Sequence, residues 1–156
     1  MSADVHDSSV PEEGTRFRYS ELVGMRVQWR DSAERPARCR DVVVAWVEDE
    51  LFVRLLVVGR AGEEVTRLLP WENVVAIDAD GIRATVDRRS VASGARAEPP
   101  VRVGRDLLRR VVVGRNAERL GIVRDALFIP TRGELVLVEL LLAPAGSLAR
   151  LLTPLL

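Results

Sequence analysis

Apolar residues in this chain gather in short runs separated by turn residues, and the runs have the period of strands rather than helices. Met25 to Trp29 alternates with a two-residue period, as a half-buried strand does. Cys39 to Val47 and Leu51 to Val58 are nearly unbroken runs of branched aliphatic residues around Glu48-Asp49-Glu50, which predicts a hairpin. Gly59 to Gly62 marks a second turn, and Val65 to Leu69 a third strand closed by Pro70. Trp71 to Val75 predicts a short 3₁₀ turn. Ala76-Ile77 and Gly81 to Val86 then form a hairpin around Asp78-Ala79-Asp80-Gly81, whose Asp-Gly step favours a tight turn. Upstream, Ser20 is placed to cap one helical turn that stops at Gly24.

The pattern then repeats. At an offset of 84 and without gaps, nine of the 32 positions from 27 to 58 are identical with those from 111 to 142. They are Val27/Val111, Ala33/Ala117, Glu34/Glu118, Arg35/Arg119, Arg40/Arg124, Asp41/Asp125, Glu50/Glu134, Leu51/Leu135 and Leu56/Leu140. Two copies at so long a period indicate duplicated domains rather than a solenoid. Copy two is expected to open with a helical turn over Arg105 to Arg110. Strands at Val111–Val113, Gly121–Ile129 and Leu135–Leu142 follow, with a turn at Pro130–Gly133.

The fold class expected is mainly β: two tandem small β-barrels with short helical turns and a short C-terminal helix. Closure into a barrel hides strand edges that a unit this small would otherwise expose. Residues 1–17 are polar and aperiodic and read as a disordered leader. The first unit spans 18–87, a linker 88–100, and a shortened second unit 101–156. Leu148, Leu151, Leu152, Leu155 and Leu156 share one helical face, so a helix from Ser147 to Leu152 is expected. The offset of 84 also pairs Leu68 with Leu152 and Pro70 with Pro154, which would make the tail a third strand instead.

Composition narrows the function. Formal net charge is zero over 23 basic and 23 acidic residues, which argues against nucleic acid or anionic membrane as a partner. Every basic residue is Arg, as expected of a GC-rich genome. One Cys allows no internal disulfide and fits a cytoplasmic setting. The leader has no secretory pattern, and no apolar run approaches a membrane span.

Ser20-Glu21-Leu22-Val23-Gly24-Met25-Arg26-Val27 resembles the opening of PRC-barrel domains, where a Leu-x-Gly turn leads into the first strand. Glu118-Arg119-Leu120-Gly121-Ile122-Val123-Arg124-Asp125 is similar to the hairpin motif of that family. Glu34-Arg35 and Arg40-Asp41-Val42-Val43 repeat it, with Pro36-Ala37 where the pattern has Leu-Gly. Leu68-Leu69-Pro70-Trp71-Glu72-Asn73-Val74 resembles the close of the domain. The tandem is similar to the N-terminal cytosolic segment of actinobacterial MgtE-type magnesium-transporter-like proteins, although no helical domain or CBS pair follows here. The resemblance implies two PRC-like barrels used for protein contact or assembly.

Candidate chemistry is sparse. His6 is the only His and lies in the leader, so Cys39 has no base within its own unit. No His/Cys cluster has metal-ligand spacing, Asp78-x-Asp80-Gly81 lacks the other ligands of a calcium loop, and the Gly-Arg pairs lack a phosphate-loop ending. No catalytic residue, metal or cofactor is therefore expected. Candidate interaction residues are Trp71 and Glu72 at a barrel rim, the repeated Arg40-Asp41 and Arg124-Asp125, and Leu148, Leu151, Leu152 and Leu155. The function expected is a non-enzymatic protein-interaction or assembly module with a protein partner. A homodimer is favoured, because copy two is too short to close its own edges. The alternative is an RNA- or ribosome-associated maturation or regulatory factor.

Overall fold

A computed structural model describes residues 14–64, 66–86 and 100–144. Within them the chain is mainly β, a curled half-barrel sheet. Copy one contributes β1 (Phe17–Arg18), α1 (Tyr19–Leu22), β2 (Arg26–Trp29), β3 (Ala37–Val47), β4 (Glu50–Gly59), β5 (Arg67–Pro70), a 3₁₀ turn (Trp71–Asn73), β6 (Val74–Asp78) and β7 (Gly81–Ala84). Copy two contributes β8 (Val101–Arg102), a π-helical turn (Val103–Leu107), β9 (Val111–Val113), β10 (Arg119–Thr131) and β11 (Glu134–Pro144).

The two long hairpins, β3–β4 and β10–β11, are the repeated motif, and they match down to their irregularities. The first is bulged between Cys39 and Asp41 and between Val43 and Val44. The second is bulged between Val123 and Asp125 and between Leu127 and Phe128, the same positions 84 residues on. Arg40 and Arg124 are the extra residues of the first bulge in each copy. A bulge bends its strand and sharpens the twist, which curls both hairpins alike. The turns are Glu48-Asp49 and Arg132-Gly133. Arg132 and Gly133 have φ of 50° and 78°, the conformation a two-residue hairpin needs. Pro130, expected in the turn, continues β10.

The copies share one sheet, and each opens by pairing with the other. β1 of copy one lies on β10, with Phe17 opposite Phe128 and Arg18 opposite Leu127. β8 of copy two lies on β3, with Val101 opposite Val44 and Arg102 opposite Val43. These pairings are related by the repeat offset. A central ladder joins β4 to β11 through Phe52↔Val136 and Leu51↔Leu137. Phe52 and Val136 are themselves repeat equivalents, so a pseudo-two-fold axis passes between them. A boundary at 88–100 divides the sequence but not the sheet.

β1 begins inside the segment read as leader, because Phe17 is apolar and buries against the core. That core joins both copies: Leu22, Val27, Val42, Val44, Val53, Leu56 and Ile82 pack with Val103, Ala126, Phe128 and Leu135. Ser20 does not cap α1 but lies within it, and its hydroxyl is used elsewhere. The rest of the leader, most of the linker, the expected C-terminal helix and Leu148, Leu151, Leu152 and Leu155 lie outside the described residues.

Copy two departs from the repeat around its opening turn. In α1 the Val23 amide donates to the Tyr19 carbonyl at 2.9 Å, a four-residue step. In the π turn the Leu108 amide donates to the Val103 carbonyl at 3.0 Å, a five-residue step. One inserted residue explains this, and the offset is 85 from there to Val112 in β9 before it returns to 84 in β10. Gly24 N–H donates to Cys39 O and Arg109 N–H to Val123 O; Cys39 N–H donates to Met25 O and Val123 N–H to Arg110 O. Val27, opposite Ala37, therefore corresponds to Val112, opposite Gly121, and the Val27/Val111 identity is not a structural equivalence.

Candidate interaction surface

Asp41 and Asp125 hold the two copies together. Asp41 is 4% exposed, so its carboxylate must be satisfied by protein. Oδ1 accepts from the Val42 amide (2.8 Å), the Gly104 amide (2.8 Å) and the Tyr19 hydroxyl (3.1 Å). Oδ2 accepts from Arg102 Nε at 3.1 Å. Gly104 and Arg102 belong to copy two. Burial first, then the neighbouring Asp41 charge, push the Tyr19 phenol far above its ordinary value, so it remains a donor. Asp125 does the reverse job: Oδ1 accepts from the Ala126 amide (2.9 Å) and the Ser20 amide (3.1 Å), and Oδ2 from the Ser20 hydroxyl (2.6 Å). Ser20 and Gly104 are repeat equivalents.

The partner Arg residues point outward. Arg40 is exposed and donates to the Arg60 carbonyl beside Gly59, while Arg124 is exposed on the matching bulge. Trp71 is half-buried, and its Nε1 donates to the Gly133 carbonyl at 3.0 Å, tying the 3₁₀ turn of copy one to the β10–β11 turn. Glu72 beside it is exposed. The structure thus gathers Asp41, Asp125 and Trp71 at junctions between copies and leaves Glu72, Arg40 and Arg124 at the surface. Tyr19, Ser20, Arg102 and Gly104 were missed by sequence reasoning. Their only signal is that positions 18 and 102 are both Arg at the repeat offset.

Burial first, with Asp41 next, pushes the Cys39 thiol up to about 12, so it is a packed side chain rather than a nucleophile at neutral pH. Among the described residues no three His, Cys, Asp or Glu side chains cluster to hold a metal, and no helix is long and apolar enough to cross a membrane. A shallow open depression lies between Trp29, Ala37, Val58 and Arg60. Glu34 at its rim is bridged by Arg67 at 2.7 Å, so its polar groups already serve one another.

The exposed apolar residues concentrate in copy two. Val111, Val113 and Leu120 are 46%, 54% and 49% exposed, and Leu140 and Leu142 are 38% and 37% exposed. In copy one, β2 is paired in parallel by β7, through Val27↔Ile82, Gln28↔Arg83 and Trp29↔Ala84, and Leu56 and Val58, the counterparts of Leu140 and Leu142, are buried. Among the described residues β9 has no such neighbour. Leaving each leucine this exposed forgoes on the order of 1 kcal/mol of burial. The β9 edge is rimmed by exposed Arg109, Arg110, Arg115 and Arg119.

No protein-family model matches the chain, and no curated protein matches it.

Proposed function

We propose that the chain is a non-enzymatic protein-interaction or assembly module of two PRC-barrel-like units, cytoplasmic, and that its partner docks along β9. The observation that carries this is the edge of β9: among the described residues β10 lies on one side of it and no strand on the other, with Val111 and Val113 exposed. Strand addition to such an edge gives affinity through backbone hydrogen bonds and specificity through alternate side chains. The arginine rim selects for acidic groups beside the apolar contact.

A second copy of the chain carries that chemistry. At the tip of its β3–β4 hairpin Trp46 and Val47 are 44% and 37% exposed, next to exposed Glu48, Asp49 and Glu50. A two-fold arrangement would make the contact twice, tip to β9 in each direction. Light scattering after size exclusion tests this. The unaltered chain is expected to elute as a dimer, and Val111→Lys with Val113→Lys as a monomer of unchanged circular dichroism. A monomeric unaltered chain, or a dimer that survives both substitutions, rejects it. A second reading, an RNA- or ribosome-associated factor, draws on the same arginine rim and requires salt-sensitive RNA binding that Arg109→Glu abolishes.

A further inference from the structure

The outer face of copy one carries a row of arginines across the neighbouring strands β7, β2, β3 and β4. Arg83 of β7 lies opposite Gln28 of β2, and Arg26 of β2 lies opposite Arg38 of β3. Arg38 in turn lies opposite Gly59 of β4, and the Arg40 side chain crosses that glycine so closely that a Cβ there would meet its Nε. Arg26 and Gln28 are two apart on one strand and so share a face, away from buried Val27. The register therefore gathers Arg26, Arg38, Arg40 and Arg83, all exposed, on one side of the sheet.

The fold does not demand the Arg26–Arg38 pair. Like charges directly opposite each other weaken a sheet. Copy two sets Val111 opposite Ile122 at the equivalent place and keeps the same ladder. Two of the arginines are also held in position. Arg38 Nη1 donates to the Gly24 carbonyl at 2.7 Å, and Arg40 Nη2 donates to the Arg60 carbonyl. A carbonyl fixes a guanidinium without neutralising it and leaves most of its N–H donors for a ligand. Side chains already held lose less freedom when something binds them. Both ends of the row show the group that suits it. Arg83 Nη2 donates to Asp78 Oδ2 at 3.0 Å, and beside Arg40 the Arg60 guanidinium lies 3.8 Å from Glu34 Oε2.

We propose that this row is a docking surface for an acidic segment of a protein partner, with one of its carboxylates seated between Arg26 and Arg38. Opposed side chains leave the sheet with Cβ atoms about 5 Å apart, close enough for both guanidiniums to reach one carboxylate. Each can give it paired N–H bonds, and its charge removes the repulsion between them. A peptide suits the row better than RNA. Arg83 already shares its charge with Asp78, and the side chain that stands between Arg26 and Arg83 is Gln28, where single-stranded nucleic acid takes an aromatic platform. The row lies on β7, β2 and β3 and not on β9, so it adds a second contact to the interaction module and does not depend on what docks at the first.

Fluorescence anisotropy of the intact chain tests this with a labelled oligoglutamate of about ten residues, at about 0.05 M salt where surface charge is weakly screened. Saturable binding is expected, and Arg26→Glu with Arg38→Glu should weaken it by roughly tenfold or more. Arg26→Glu alone should weaken it as well while raising the thermal denaturation midpoint, because it turns a like-charged pair into an opposite-charged one. Loss of binding together with a gain in stability separates the surface from the fold. Absence of binding overturns the proposal, as does binding that stays within about twofold in the double variant. A lower midpoint in Arg26→Glu would make the pair part of the fold and overturn it too. An oligouridylate of the same length that binds more tightly, and is released by the same substitutions, would assign the row to nucleic acid instead. Failure of the β9 reading would appear in the oligomeric state, which neither arginine substitution is expected to change.

Discussion

The Gly104 amide donates to the Asp41 carboxylate at 2.8 Å, across 63 positions of sequence, and the Ser20 amide makes the equivalent bond to Asp125 in the opposite direction. The two turns that open the copies are thereby each fixed to the bulged strand of the other. Gly104 has no room for a side chain: a Cβ there would run into Tyr19 Oη and Asp41 Oδ1. Gly104→Ala and Asp41→Ala are therefore expected to cost about 3 kcal/mol each in chemical denaturation, since both leave buried donors or acceptors unmet. Ser20→Ala removes one hydroxyl bond from a half-exposed carboxylate and should cost only about 1 kcal/mol.

Acid should weaken the same junction. Partial burial opposes ionisation of Asp125, but hydrogen bonds from the Ser20 hydroxyl, the Ala126 amide and the Ser20 amide, with Arg18 nearby, outweigh it and hold its carboxyl below the usual range. A group depressed in the folded state stabilises it above the unfolded value of about 3.9, and the contribution is lost as pH falls through the lower folded value. Denaturation midpoints measured from pH 6 downward should fall below about pH 4. The decline should be shallower in Asp125→Asn.

Cys39 makes the opposite prediction at alkaline pH. Its folded value of about 12 exceeds the unfolded thiol's, so the native state keeps a proton that the unfolded chain releases. Stability should decline as pH rises above about 8.5. Modification by a thiol reagent should be on the order of a hundredfold slower in the native chain than in denaturant. Rapid native labelling would show that the β3–β4 hairpin opens locally.

Much of the fold is legible because local signals carry it. Branched aliphatic runs, the turn at Glu48-Asp49 and the Asp80-Gly81 step predict the hairpins where they occur. The repeated Arg-Asp marks a bulge in both copies, although its residue types alone do not announce one. The exchange of opening strands was not legible, because Phe17-Arg18 and Val101-Arg102 are too short to show a period and their partners lie more than a hundred and about sixty positions away. The role of Ser20 was misread for the same reason: helix capping is a local expectation, and a carboxylate at position 125 outcompetes it.

The inserted residue of the π turn can be identified. Asp106 Oδ2 accepts from the Arg102 amide at 2.9 Å, as Glu21 Oε2 accepts from the Arg18 amide at 3.3 Å, which leaves exposed Arg105 as the extra position. Deleting Arg105 should convert the turn to a four-residue step and leave far-UV circular dichroism unchanged. Arg109 occupies the place of Gly24 with φ of 66°, so Arg109→Gly should stabilise by about 1 kcal/mol in thermal denaturation.

Trp71 reports on the contact between the copies. Trp71→Phe removes the indole bond to the Gly133 carbonyl and should cost about 1 kcal/mol, with most of the packing kept. Trp71→Ala should cost about 3 kcal/mol. Equal losses would place the whole effect in the hydrogen bond.

The axis between Phe52 and Val136 has a meaning for descent. Strands passed reciprocally between equivalent halves are what two identical subunits make when each lends its first segment to the other. A gene for one such subunit, doubled and joined, would yield this chain with its dimer interface turned into interior. Once the halves were covalently joined, they no longer had to remain identical. The second was free to accept the extra residue that turns its opening helix into a π turn.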